Sequence, residues 1–330
     1  MRRALELAER GRYSVSPNPM VGCVLVRDGQ IIAEGWHQRA GEPHAEVNAL
    51  QSCDDPRGAT MYVTLEPCTH QGRTPPCSEV VVQSGIREVI IATPDPHEVV
   101  NGRGIDQLRR AGLRVETGVL EADARRLNEK FLHAITAHSP FVCLKAAMTL
   151  DGKLATVTRD SHWITGEAAR QKSLELREEY DAILAGGGTV REDNPQLTRR
   201  LGWNRSIEPW TRVILDRDRQ VPSGARVLTD GGLTLHITHD VDLAAFLREL
   251  YARGIQSIIV EGGSQVHAAF LSLRLWQKMV VFVAPMFVGG AEAPSIFSAG
   301  AAKRLTEAYR FRFDRLERVG EDLMLSVYPI

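Results

Sequence analysis

His44-Ala45-Glu46, Glu66-Pro67-Cys68 and Thr74-Pro75-Pro76-Cys77 are the stretches on which the reading of this chain turns. One histidine and two cysteines lie in order within about thirty-five residues. Imidazole and thiolate are ligand types that zinc prefers, and a site with three protein ligands leaves a fourth position for water. Glu46, two residues beyond His44, is the right kind of group to move that water's proton. Pro43 opens a helix that carries His44 and Glu46 in its first turn. Pro75 and Pro76 suit the start of a second helix, with Cys77 in its first turn, where the dipole favours a thiolate. Residues 61–65 read as a strand that runs into Glu66-Pro67-Cys68.

Around this centre the pattern is layered. Residues 1–12 form an amphipathic helix, and Pro17-Asn18-Pro19 enforces an extended turn. Strands at 21–26 and 31–35 flank Asp28-Gly29, a strong hairpin signal. A strand at 89–92, a helix at 107–111 and a short strand at 114–116 continue the alternation, which marks an α/β domain over residues 1–140. Pro140 is the expected boundary, and 141–148 is a fresh apolar strand opening a second α/β domain over 141–330. Strands at 182–185, 212–215, 257–260 and 280–284 alternate there with helices at 167–179, 243–253 and 265–271. The halves share an architecture but no repeated motif.

Composition sets bounds on function. The 330 residues are 43% hydrophobic and 25% charged, ordinary for a soluble globular chain, with a net charge of −1 and 6% aromatics. Such a balance does not favour nucleic acid or an acidic membrane surface. No stretch approaches the ~20 apolar residues of a spanning helix. Glu6 and Glu9 interrupt any signal-peptide core, so a cytoplasmic protein is expected. Five cysteines, an odd number, argue against a disulfide framework, and Cys23 and Cys143 read as buried strand positions.

The chemistry follows from the ligand set. A ring amine leaves after water adds to the carbon that bears it, and zinc lowers the pKa of a bound water from 15.7 to about 7. His/Cys/Cys ligation with a non-ligand Glu is the general arrangement of zinc deaminases. Taken one by one, two cysteines and a nearby histidine fit a structural zinc site equally well. Their order on a βα framework favours the catalytic one. The spacing departs from Cys-x-x-Cys, since eight residues, Thr69 to Pro76, separate Cys68 from Cys77. That insert carries His70 and Arg73 and reads as a loop offering donors to a substrate.

These residues, with Val21-Gly22-Cys23, Gly35-Trp36-His37 and the run from Thr64 to Cys77, resemble the bifunctional deaminase–reductase family of riboflavin biosynthesis. The long insert between the cysteines is the family's mark among cytidine-deaminase-like folds. The resemblance implies that His44, Cys68 and Cys77 bind one zinc ion and that Glu46 is the proton shuttle. It implies that Asn18, His37, His70 and Arg73 line the pocket for a phosphorylated pyrimidine, 2,5-diamino-6-ribosylamino-4(3H)-pyrimidinone 5′-phosphate. Asn101-Gly102-Arg103-Gly104 resembles the family's glycine-rich loop near that site.

In the second domain the residues alone say less. Gly186-Gly187-Gly188-Thr189-Val190 and Glu261-Gly262-Gly263-Ser264 are glycine-rich turns between strand and helix, a setting that binds phosphate. Neither matches the full dinucleotide fingerprint. The resemblance covers nearly the whole chain. Through the runs 144–153, 161–165 and 189–198 it implies a dihydrofolate-reductase-like fold and NADPH-dependent reduction of the ribosyl group to ribityl. Ala147, Trp163, Thr165, Thr189, Asp193, Gly263, Ser264, Gln265, Val266, His267, Ala268 and Ala269 would face NADPH. Lys145, Ser161, Arg177, Leu197, Arg200 and Glu261 would face the substrate, with Lys145 and Asp193 as the candidate catalytic acids. Arg199, Arg217 and Trp276-Gln277-Lys278 depart from the family pattern. The expected assembly is a homo-oligomer, dimer or tetramer. Two alternatives stay open: a deaminase with a degenerate second half, and a nucleic-acid base deaminase.

Overall fold

Asp28 and Gly29 take φ of 52° and 76°, the left-handed pair that a two-residue hairpin needs. Strand β1 (Gly22–Arg27) therefore turns straight back as β2 (Gln30–Trp36). The computed structural model describes residues 1–69, 76–97, 100–203, 210–297 and 302–330, in two units, Met1–His138 and one beginning at Ser139. His70 and Arg73 lie outside the described residues.

The first unit is a five-stranded sheet in the order β2-β1-β3-β4-β5, with β3 (Thr60–Leu65), β4 (Glu88–Thr93) and β5 (Arg114–Thr117). β1 is antiparallel to β2 and β3, and β3, β4 and β5 are parallel. Helices α1 (Arg2–Glu9), α2 (Ala45–Gln51), α3 (Cys77–Gln83), α4 (Arg103–Arg110), α5 (Glu121–Leu127) and α6 (Glu129–Ala137) accompany the sheet. α1 buries Ala4 and Leu7 against Val24. Cys23, Leu25, Met61, Val63, Val89, Ile91 and Leu108 form the main core. Full burial of each large aliphatic side chain contributes roughly 1.5–3 kcal/mol. α2 lies so close to β2 that a Cβ on Gly35 would stand 2.3 Å from Ala49 N and 2.5 Å from Ala45 O. Only glycine fits there.

The second unit is an eight-stranded sheet in the order β12-β13-β11-β6-β10-β7-β8-β9. β6 (Phe141–Thr149), β7 (Ala182–Gly186), β8 (Thr211–Leu215), β9 (Thr234–Ile237), β10 (Ser257–Val260) and β11 (Lys278–Ala284) run parallel. β12 (Phe311–Val319) and β13 (Asp322–Pro329) close one side as an antiparallel hairpin. The helices are α7 (Glu167–Glu178), α8 (Gly187–Asp193), α9 (Arg226–Thr229), α10 (Leu243–Ala252) and α11 (Ser264–Ser272). Both faces of the sheet are covered, so its central strands are continuous apolar runs. Val142, Leu144, Leu184 and Ile258 pack with Phe246, Phe270 and Trp276 in one cluster. Phe141, Cys143, Ile183, Ile214 and Ile259 pack with Phe282 in the other.

The family departures at 276–278 have structural roles. Trp276 is a core residue, Gln277 Oε1 accepts from Val142 N at 2.8 Å, and Lys278 lies over the Tyr328 ring at 5.3 Å. Among the described residues no helix is long and apolar enough to cross a membrane. All five cysteines are free.

Candidate active site

His44 is the N-cap of α2, one position before the helix begins, with extended backbone at φ −76°, ψ 168°. The sequence places it inside the first turn. Pro43 and the cap geometry hold it just outside, which turns its ring towards the cysteines. Cys68 follows the end of β3, and Cys77 is the first residue of α3. His44 Nδ1 lies 3.2 Å from Cys77 Sγ and 3.6 Å from Cys68 Sγ. The three ligand atoms all fall within 4.8 Å of one another. Zinc bonds of about 2.0–2.3 Å in a tetrahedron put neighbouring ligand atoms roughly 3.5–3.8 Å apart, so the imidazole and two thiols fit zinc. Cys77 N donates to Cys68 Sγ at 3.4 Å, and Ser78 N donates to Cys68 O at 3.1 Å, so the start of α3 holds both the sulfur and the backbone of Cys68.

The electrostatics suit the ligand set. The hydrogen bond from Cys77, reinforced by His44, draws Cys68 down to about 4 against the opposing effect of burial. The same bond to Cys68, together with burial and the nearby Glu46, pushes Cys77 upward. Sharing with Cys68 raises His44. Glu46 is buried beside them in the first turn of α2, and desolvation lifts its carboxyl to about 7. A carboxyl in that range both takes and returns protons near neutrality.

Two further residues of the expected pocket stand beside the ligand cluster. His37 Nδ1 donates to Pro43 O at 3.1 Å, a carbonyl that can only accept. Its Nε2 is therefore the acceptor for Asn18 Nδ2 at 3.0 Å, and burial keeps the ring neutral by lowering its pKa. The His37 and His44 rings meet edge to face at 5.2 Å.

Two supporting residues escape sequence reasoning. Glu66 is buried, and its carboxylate accepts from four backbone N–H groups: Asp95 and Gly102 at 3.2 and 3.1 Å, Gly104 and Ile105 at 2.8 and 3.2 Å. It occupies the N-terminal donors of α4, so the glycine-rich turn at 101–104 is held by an internal anion. Asn128, at the junction of α5 and α6, brackets the backbone of Met20 in the same way.

In the second unit the expected residues fall into three groups. Glu261, just beyond β10, meets Arg177 of α7 in a bidentate pair at 2.7 and 3.0 Å, and Lys145 of β6 at 3.5 Å. Burial works against the Glu261 charge, but Arg177 and Lys145 hold its carboxyl at about 2. Asp193 belongs to a second group, 3.5 Å from Ser161 Oγ and 3.9 Å from His162 Nε2, and desolvation raises its pKa. The third group is a glycine cradle. A Cβ on Gly186 would stand 2.7 Å from Val266, and one on Gly263 would lie 3.9 Å from Thr189 Oγ1. The starts of α8 and α11 thus lie side by side beyond β7 and β10. Ser264, Gln265 and Ala269 lie on α11 beside this cradle, whereas His267 and Ala268 are buried beneath it. Thr165 is buried, Ala147 is half-buried on β6, and Trp163 is exposed under Arg170 at 4.7 Å. Leu197 is buried and Arg200 exposed. Arg199 is turned inward, donating to Tyr180 O and stacking on Trp210 at 4.2 Å. Of the two adjacent arginines, Arg200 is the one left facing solvent.

This fold and these sites define a zinc-dependent deaminase joined to a reductase. The model of the cytidine and deoxycytidylate deaminase zinc-binding region matches residues 1–93, and that of the RibD C-terminal domain matches residues 140–325. The riboflavin biosynthesis protein RibD of Bacillus amyloliquefaciens is 40% identical, over 100% of this chain and 95% of its own length. The structure of Acinetobacter baumannii RibD superposes with a TM-score of 0.90 at 39% identity, covering 100% of this chain and 97% of that one. So does a Thermotoga maritima diaminohydroxyphosphoribosylaminopyrimidine deaminase/5-amino-6-(5-phosphoribosylamino)uracil reductase, with the same TM-score, identity and coverage. The chain belongs to the RibD family of riboflavin biosynthesis and carries both of its domains, a cytidine-deaminase-like zinc domain and a dihydrofolate-reductase-like domain that uses NADPH.

Proposed function

We propose that residues 1–140 deaminate 2,5-diamino-6-ribosylamino-4(3H)-pyrimidinone 5′-phosphate and that residues 141–330 reduce the ribosyl group of the product to ribityl. The observation that carries the first half is the convergence of His44 Nδ1, Cys68 Sγ and Cys77 Sγ within 4.8 Å, with buried Glu46 beside them. Zinc, when bound there, supplies a water acidic enough to attack near neutral pH. Glu46 takes one proton of the attacking water and passes it to the ring nitrogen; it then moves the proton of the newly formed hydroxyl to the amine, and the C–N bond breaks to release ammonia and leave a carbonyl. Asn18, neutral His37, His70 and Arg73 line the pocket for the pyrimidine and its ribose phosphate.

In the second step the ribosylamine ring opens. A proton moves from the anomeric N–H to the ring oxygen, leaving a C1′=N imine. NADPH, when bound, supplies the hydride for C1′. Asp193, whose burial favours the protonated form, is suited to protonate the imine nitrogen. Lys145, fixed by Glu261, and Arg177 orient the substrate with Ser161, Leu197 and Arg200. Ala147, Trp163, Thr165, Thr189, Gly263, Ser264, Gln265, Val266 and Ala269 form the cofactor side, with His267 and Ala268 supporting it from beneath.

The enzyme acts on a small phosphorylated pyrimidine, and we place it in the cytoplasm as a homo-oligomer. Edge strand β12 supports self-association, because it exposes Phe311, Phe313 and Leu316. The test is an assay of one zinc-loaded sample with the diaminopyrimidine phosphate and NADPH. Ammonia should appear first and NADPH oxidation follow. NADPH oxidation without ammonia would refute the order.

A further inference from the structure

We infer that Asn128 is a positioning residue for the deaminase substrate, acting through the turn that carries Asn18. The inference rests on the reading of Asn18 and His37 as pocket residues. Asn128 is only 2% exposed and stands where α5 ends and α6 begins. Its carboxamide pairs with one residue 108 positions away. Met20 N donates to Asn128 Oδ1 at 2.8 Å, and Asn128 Nδ2 donates to Met20 O at 2.8 Å. A side chain thus does for Met20 what a neighbouring strand would do, satisfying both backbone groups of a buried residue. Without it, the N–H and the carbonyl of buried Met20 would lose this partner.

The bond feeds directly into the pocket. Met20 is followed by Val21, whose carbonyl accepts from His37 N at 2.9 Å, and preceded by the Pro17-Asn18-Pro19 turn, in which Asn18 N donates to Val15 O at 2.8 Å. Asn18 Nδ2 then reaches His37 Nε2, and His37 Nδ1 reaches Pro43 O, the residue before His44. Asn48 Nδ2 donates to the same carbonyl at 3.3 Å and to Trp36 O at 2.8 Å. Asn128 is therefore the outer anchor of a path of hydrogen bonds and covalent backbone that sets the angle at which Asn18 meets the ring. It touches neither substrate nor ligand residues, so its loss should weaken binding of the pyrimidine more than the chemical step.

The choice of residue is chemically narrow. Aspartate would keep the acceptor for Met20 N but set a carboxylate oxygen against Met20 O, and serine would reach only one of the two groups.

The test is steady-state ammonia release from the diaminopyrimidine phosphate by the zinc-loaded full chain, comparing wild type, Asn18→Ala, Asn128→Asp and the double variant. Asn128→Asp should raise KM about tenfold with kcat within about threefold of wild type. Its zinc content, and its NADPH oxidation on the deaminated product, should match wild type. Because both residues act on one contact, the double variant should have the KM of Asn18→Ala, whereas independent effects would raise it about a further tenfold. A wild-type KM for Asn128→Asp, or multiplying effects in the double variant, would overturn the inference. If Asn18→Ala raises KM and Asn128→Asp does not, the pocket reading stands and the role of Asn128 fails. If Asn18→Ala leaves KM unchanged, the pocket reading fails and takes this inference with it. Should Asn128→Asp not fold, Asn128→Ser makes the same comparison with the same outcomes.

Discussion

Glu66 shows how much a single side chain does at the edge of the zinc site. Its two oxygens satisfy four backbone donors from the loop after β4 and the start of α4, and it stands two residues before Cys68. Glutamine at this position would keep the size but turn an amide N–H₂ towards at least one pair of N–H donors. Each buried donor left unpaired costs about 1–3 kcal/mol. Glu66→Gln should therefore lower the zinc affinity of the first unit at least tenfold, measured by competition with a chromophoric chelator, while NADPH oxidation on the deaminated product is retained. Unchanged zinc affinity would show that the carboxylate is not what holds Cys68 in place. None of this was legible in the sequence. The Glu-Pro-Cys string announces a ligand, but the partners of Glu66 are backbone groups 29 to 39 residues away, which no side-chain pattern encodes. Asn128 is hidden for the same reason, since its partners are the backbone groups of Met20, 108 positions away.

At the scale of elements, the sequence reveals what is local. The Asp28-Gly29 hairpin, the strand leading into Cys68 and the helix starting at Cys77 follow from turn chemistry and proline placement, and the structure has them within a residue or two. The C-terminal hairpin β12–β13 carries no such local mark in the sequence. β12 is an edge strand that exposes Phe311, Arg312, Phe313, Arg315 and Leu316 alike, so the apolar–polar contrast that marks a half-buried strand is missing. The packing of α2 on β2 makes a firm demand. Alanine at Gly35 would drive a methyl into the backbone of α2 at Ala45 and Ala49. Backbone cannot yield as a flexible side chain does, so Gly35→Ala should cost roughly 1–3 kcal/mol and displace the helix that carries Glu46. Its deamination kcat should fall while reductase turnover holds. Equal activity in both assays would mean the helix adapts freely.

At the scale of the whole molecule, acid should be the weak point, and two buried groups set the range. Desolvation lowers the imidazole of His267 to about 4 from an ordinary 6.5. The unfolded chain therefore binds a proton that the folded chain refuses, so stability falls as pH drops from about 6.5 to about 4, by about 3 kcal/mol in all. Glu261, held at about 2, contributes stability above its ordinary 4.5 that is lost as pH falls towards 2. Both act in the same direction within the second unit, whereas Glu46 of the first unit, lifted to about 7, gains stability as pH falls from 7 towards 4.5. The urea midpoint of the second unit should therefore decline below pH 6.5, and His267→Leu should flatten the portion between 6.5 and 4. A second-unit midpoint whose pH dependence is the same in His267→Leu as in the parent would contradict this.

The central claim is that one chain runs two chemistries in order, the first through Glu46 and the second through NADPH. Glu46→Gln puts it to the test most directly. Zinc-loaded variant protein is given the diaminopyrimidine phosphate with NADPH, then the deaminated product with NADPH, and ammonia and NADPH are followed together. The account predicts bound zinc at the wild-type level, ammonia release lowered by at least about a hundredfold in line with the loss of a general acid–base group, and NADPH oxidation only on the deaminated product. Ammonia release at the parent rate, or NADPH oxidation on the diamino compound without it, would contradict the account.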